Sequence, residues 1–125
     1  MQRRIWIQWT TTAKEGLKKL PLKVRRGLLK KADELEDCDD PRKVNKPLTG
    51  PLQGFYRIVY SRYRAIYKVE EEKLANKNIV IRIKILFVAV GQRKEHDKHD
   101  VYKLAKKLVE LGLLDVEGKS VDDDE

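Results

Sequence analysis

Residues 46–67 read KPLTGPLQGFYRIVYSRYRAIY. Pro47, Gly50, Pro51 and Gly54 punctuate a loop that feeds two short runs rich in Tyr, Ile and Val, the signal for a loop followed by a β-hairpin. With Ser61-Arg62 as a two-residue turn, Tyr60 faces Tyr63, Ile58 faces Ala65 and Tyr56 faces Tyr67. Side chains alternate along a strand, so these six share one mostly apolar face. The other face carries Val59 beside Arg64 and Arg57 beside Ile66. Any even loop length keeps that parity. Two arginines set diagonally on a sheet face are either a phosphate site or solvated surface charge.

Upstream, Arg3–Trp9 alternates as a first strand. Thr12-Ala13-Lys14-Glu15 fits a capping box opening a helix with Leu17 and Leu20 on its apolar stripe. Pro21 ends that helix or opens the next, on which Val24, Leu28 and Leu35 mark the buried side. The two helices read as an αα-hairpin packed on the sheet, and Pro41 stops the acidic stretch Asp33–Asp40. Downstream, the hairpin ends near Val69, and Glu70–Asn78 is a charged connection turning at Asn76-Lys77-Asn78. Ile79–Val90 is one long strand, alternating at first and then apolar on both faces, as a covered central strand would be. Gly91 ends it. Val101, Leu104, Ala105, Leu108 and Leu111 recur at helical spacing before Gly112, and His99, Tyr102 and Lys106 share another face of that helix.

Composition narrows the function. At 125 residues the chain makes one domain, residues 1–114, with an acidic, disordered tail at 115–125. The formal net charge is +8, and the tail holds six acids against Lys119, leaving +13 on residues 1–114. Such a field favours a polyanion, nucleic acid foremost. Cys38 is the lone cysteine, which excludes an internal disulfide and fits a reducing cytoplasm. No apolar run is long enough for a signal peptide or a membrane span, so a soluble protein is expected.

The order β-α-α-β-β-β-α resembles the RelE/ParE superfamily of toxin–antitoxin toxins. The motifs that carry the likeness are Leu17/Leu20-Pro21, Lys46-Pro47-Leu48-Thr49-Gly50-Pro51-Leu52, Tyr56-Arg57-Ile58, Tyr63-Arg64-Ala65-Ile66-Tyr67 and Val90-Gly91-Gln92-Arg93-Lys94. The resemblance, over roughly residues 3–110, is closer to RelE-like mRNA interferases. It implies an α+β fold with a mainly antiparallel four-stranded sheet, an N-terminal helical hairpin on one face and a C-terminal helix. It also implies a cognate antitoxin as partner, and ribosome-dependent mRNA cleavage in the RelE-like branch. The ParE-like branch instead binds DNA gyrase without nuclease chemistry, and a basic nucleic-acid-binding module on the same scaffold is a third reading.

Metal-free RNA cleavage by the ribose 2′-OH needs a proton acceptor, stabilisation of phosphorane charge and a proton for the departing 5′-oxygen. By the resemblance, Arg64 matches the family's hairpin arginine and Arg93 the arginine after its terminal Val-Gly. Arg57 stands where the best-known ribosome-dependent members place a lysine, and a second lysine two positions on is replaced by Val59. An arginine does not deprotonate usefully, so Arg57 reads as a phosphate clamp. The candidate bases are then His96 and His99, just after Arg93, or Lys46, where another branch carries a glutamate. Tyr102 resembles the family's C-terminal tyrosine, although it follows Arg93 by nine residues where about six is usual. Lys43, Lys46, Arg62, Lys94 and Lys98 are candidates for RNA backbone contact. His96, Asp97, His99 and Asp100 are too local to argue for a metal, and no cofactor is called for.

Overall fold

Four strands form the layer on which the rest packs. In the computed structural model, which describes residues 2–74 and 80–112, they are β1 (Gln2–Trp9), β2 (Phe55–Tyr60), β3 (Tyr63–Leu74) and β4 (Val80–Gln92). The helices are α1 (Thr11–Lys18), α2 (Leu22–Glu34), a short α3 (Pro41–Val44) and α4 (Val101–Glu110). Strand order is β1-β4-β3-β2, with β1 parallel to β4 and the other two pairings antiparallel. This is the expected α+β order, with α3 and the 3-10 turns Leu35–Asp37 and Gly50–Leu52 added.

The β2–β3 register is the one read from the sequence: Tyr60 opposite Tyr63, Val59 opposite Arg64, Ile58 opposite Ala65, Arg57 opposite Ile66 and Tyr56 opposite Tyr67. Ser61 adopts φ 54°, the positive angle that a tight two-residue hairpin turn requires at its first position.

One face of the sheet receives α1 and α2. Leu17, Leu20, Val24, Leu28 and Leu35 pack there on Ile58, Ala65, Ile85 and a ladder of rings. Trp9 stacks on Phe87 at 4.2 Å between centroids, Phe87 meets Tyr67 at 5.3 Å, and Tyr67 meets Tyr56 at 5.5 Å. Tyr60 and Tyr63 lie against the same core, so the hairpin tyrosines serve packing. Two glycines permit the close fit. A Cβ on Gly16 would lie 2.2 Å from the Val90 carbonyl oxygen, and one on Gly27 would lie 2.2 Å from the Tyr60 ring. The Tyr67 hydroxyl donates to the Pro41 carbonyl at 2.9 Å and accepts from Asn45 at 3.1 Å, which ties α3 to the sheet. Burial pushes this phenol up to about 12.

The other face receives α4, whose Val101, Ala105 and Leu108 pack against Ile66, Leu86, Val88 and Ala89. No helix among the described residues is long and apolar enough to cross a membrane.

Several sequence expectations require correction. The α1 cap is Thr10, whose hydroxyl accepts from the Ala13 N–H at 3.1 Å and donates to the Val88 carbonyl at 3.3 Å. The proposed box at Thr12 is therefore already inside the helix. Pro41 opens α3 under an Asp40 cap as well as ending the acidic stretch. The strand β3 continues through Leu74 because Val69–Leu74 pairs fully with β4, and Gly91 lies within β4 opposite Arg64. His99 precedes the helix, since Asp100 is the α4 cap. The expected turn at 76–78 and the acidic tail at 115–125 lie outside the described residues.

One irregularity sets the phase of β4. Ile66 pairs with Ala89 and Tyr67 with Phe87, so Val88 is an extra residue and β4 bulges there. Val88 and Ala89 both join the α4-side core, whereas Phe87 and Val90 belong to the opposite one. Beyond the bulge, Gly91 stands opposite Arg64 and alternation brings Arg93 to the Arg57/Arg64 face.

Candidate functional site

Three arginines and a tyrosine gather where β2, β3, the end of β4 and the start of α4 meet. The Arg57 Nη1 donates to the Tyr102 hydroxyl at 3.0 Å. The Arg93 guanidinium lies over the Tyr102 ring, 4.4 Å from its centroid. The Arg93 backbone N–H donates to the Arg62 carbonyl at 2.7 Å, which closes the end of β4 against the hairpin turn. Arg64, on the same face, donates through Nη1 to the carbonyls of Ser61 and Tyr63, each at 2.9 Å. Of the predicted site, the fold therefore joins Arg57, Arg93 and Tyr102 directly and puts Arg64 on the same face, its guanidinium turned to the hairpin-turn carbonyls.

The nine-residue interval between Arg93 and Tyr102 is taken up by two consecutive turns, with Asp97 N–H on the Lys94 carbonyl and Asp100 N–H on the Asp97 carbonyl. Asp100 then caps α4. Sequence reasoning missed its importance. It is 2% exposed, and its carboxylate accepts from Arg93 Nη1 at 2.5 Å and from the Lys94 N–H at 2.7 Å. The signal was present in an aspartate directly preceding the apolar stripe that begins at Val101.

The three guanidiniums differ electrostatically. The hydrogen bond to Asp100 raises the Arg93 pKa still further, and Glu95 approaches it at 3.6 Å. Arg57 and Arg64 have no carboxylate partner among the described residues, and the Nε of each is buried without a hydrogen-bond partner. Positive charge is thus least compensated at these two. Such groups suit charge stabilisation, because a guanidinium presents fixed donors to an oxyanion.

The remaining candidates are more scattered. His96 and His99 are exposed in the loop before α4, and neither imidazole hydrogen-bonds to the arginines or to Tyr102. The His99 backbone N–H donates to Asp97 at 2.7 Å and holds that carboxyl below its ordinary range. Arg62, Lys94 and Lys98 are exposed at the turn and in the same loop. Lys43 lies on α3, which is anchored to Tyr67 on the opposite side of the sheet, and Lys46 follows in the loop before Pro47. No group of three or more His, Cys, Asp or Glu among the described residues could hold a metal ion. A cleft of about 360 Å³ lined by Trp6, Glu70–Glu72, Arg82 and Lys84 lies seven residues down β4 from Gly91, well removed from the cluster.

No protein-family model and no curated protein matches the chain. Solved structures do. A double arginine-to-alanine mutant of the Escherichia coli toxin RelE in the free state is 24% identical, with 83% of this chain and 96% of that one covered at a TM-score of 0.57. The isolated E. coli RelE toxin is also 24% identical, with coverage of 83% and 97% and a TM-score of 0.50. This is a RelE-like fold. The RelBE2 toxin–antitoxin complex from Mycobacterium tuberculosis also matches, at 25% identity, coverage of 66% and 95% and a TM-score of 0.47. In the RelE-like chain the sheet face bearing Arg57 and Arg64 is the one on which α4 lies, and β4 and the loop after it bring Arg93 to that face.

Proposed function

We propose that this RelE-like chain is the toxin of a toxin–antitoxin module and acts as a ribosome-dependent mRNA endoribonuclease in the cytoplasm. The observation that supports the reading best is the convergence of Arg57 and Arg93 on Tyr102, with Arg64 on the same face. In the proposed reaction the ribose 2′-oxygen loses its proton and attacks phosphorus. The bond to the 5′-oxygen breaks, that oxygen takes up a proton, and a 2′,3′-cyclic phosphate remains. Arg57 and Arg64, which have no carboxylate partner among the described residues, supply charge to the phosphorane, and Arg93 orients Tyr102 against the scissile region. The +13 carried by residues 1–114 draws the chain to RNA. A cognate antitoxin of acidic and apolar character would cover the same face and the exposed Leu104 and Leu111 of α4.

Incubation with ribosomes and a defined mRNA tests the proposal: A-site cuts ending in a 2′,3′-cyclic phosphate are expected. Arg57→Ala and Arg64→Ala should each slow single-turnover cleavage by roughly a hundredfold. Arg93→Lys is a better probe than Arg93→Ala, because complete truncation would leave the buried Asp100 carboxylate without its cation. A second reading is favoured by that same ion pair, which already neutralises Arg93: a non-enzymatic toxin that binds DNA gyrase. Loss of supercoiling in a gyrase assay, with mRNA left intact on ribosomes, would select it.

A further inference from the structure

We propose that Asp100 is the positioning residue of the site, setting the orientation of Arg93 and Tyr102 together; its catalytic consequence rests on the nuclease reading. One carboxylate makes three links. Its Oδ2 accepts from Arg93 Nη1 at 2.5 Å and from the Tyr102 N–H at 3.2 Å, while Oδ1 accepts from the Lys94 N–H at 2.7 Å. The first link fixes a guanidinium, the second fixes the first turn of the helix that carries Tyr102, and the third closes the intervening loop. At 2% exposure the carboxylate has little water to compete for these donors, which makes each link stiff.

The geometry passes on to Arg57. Arg93 is held at its backbone by the Arg62 carbonyl and at its head by Asp100, so its guanidinium is laid across the Tyr102 ring. The hydroxyl of that ring receives Arg57. Asp100 makes no hydrogen bond to Arg57, yet through Arg93 and the Tyr102 N–H it determines where Tyr102 stands between the two arginines. A residue that only capped α4 would need the Tyr102 N–H contact and nothing else. The Arg93 and Lys94 contacts are what a cap leaves unexplained.

Two variants separate positioning from capping. Asp100→Ser keeps a cap acceptor and removes the carboxylate; Asp100→Asn keeps the shape and one acceptor and removes the charge. Both should lower kcat by roughly tenfold to a hundredfold, the scale of a small misplacement of reacting groups, with KM changed less than threefold. Wild-type rates from Asp100→Ser would reduce the residue to a cap. In a cycle with Arg93→Lys, the Asp100→Asn effect should largely disappear, because both act through one guanidinium. Full additivity would overturn the proposal.

A readout without RNA keeps this inference separate from the nuclease reading. In the free protein, ring current from Tyr102 should shift the Arg93 Nε–Hε resonance. Asp100→Ser should return that signal to its free-arginine position while the Trp9 indole signal, from the other core, stays in place. An unmoved Arg93 signal would overturn the positioning role even if the wild type cuts mRNA. A moved signal in a protein that cuts nothing would uphold the positioning and overturn the nuclease reading.

Discussion

The two faces of the sheet are made from the same strands and have opposite characters. On the α1/α2 face, β2 and β3 contribute Tyr56, Ile58, Ala65 and Tyr67 to a continuous stack of rings and aliphatic side chains. On the α4 face, the residues between them are Arg57, Val59, Arg64 and Ile66, and the packing thins into a charged cluster at the hairpin end. Core and site are therefore not separate regions of sequence. A one-residue slip of the β2–β3 register would exchange them, sending Arg57 and Arg64 into the ring stack. The apolar face holds the charged one in register.

Substitutions can break this contrast, beginning with the ring stack. Phe87 is fully buried between Trp9 and Tyr67, and Phe87→Ala should cost about 3–5 kcal/mol in urea unfolding. Alkali should weaken the same face through Tyr67. Its folded pKa of about 12 exceeds the ordinary phenol value near 10, so the folded state retains a proton that the unfolded chain loses. The contribution, up to about 3 kcal/mol, is complete below pH 10 and declines as pH rises through 12. Unfolding free energies measured across that window, with Tyr67→Phe as the control that lacks this contribution, check the sign.

The charged face should respond in activity instead. If the chain is the proposed nuclease, Arg57→Ala should reduce cleavage roughly a hundredfold and shift the unfolding midpoint only slightly, since the side chain is half-buried and has no carboxylate partner among the described residues. A large loss of stability would show that this face is part of the core after all. The smallest effect belongs to Tyr102→Phe. It removes the acceptor for Arg57 but leaves the ring beneath Arg93, and should cost about 1 kcal/mol, near fivefold in rate.

The hairpin was legible because turn formers and alternating apolar residues agree over Phe55–Tyr67, and parity then placed Arg57 and Arg64 without further information. The position of Arg93 was hidden for the opposite reason. Ile85–Val90 is apolar on both sides, so alternation there carries no phase, and the Val88 bulge that turns Arg93 toward the other arginines leaves no mark in composition. Thr10 does not stand out as a cap because Thr12 offers a better box motif; only the fold shows Thr10 serving the helix and the bulged carbonyl together. Asp100 is polar in a run of charged residues, and nothing in the sequence separates it from Asp97 except the helix that follows.

The parallel pairing of β1 with β4 also has a consequence for synthesis. Residues 2–9 find their partners at 80–87, so β1 cannot dock until α1, α2, α3 and the other three strands have followed it off the ribosome. The arginine cluster waits longer still, since Arg93 and Tyr102 follow β4. Nascent fragments that end before α4 lack the assembled cluster, because Arg57, Arg93 and Tyr102 can come together only once that helix has been made.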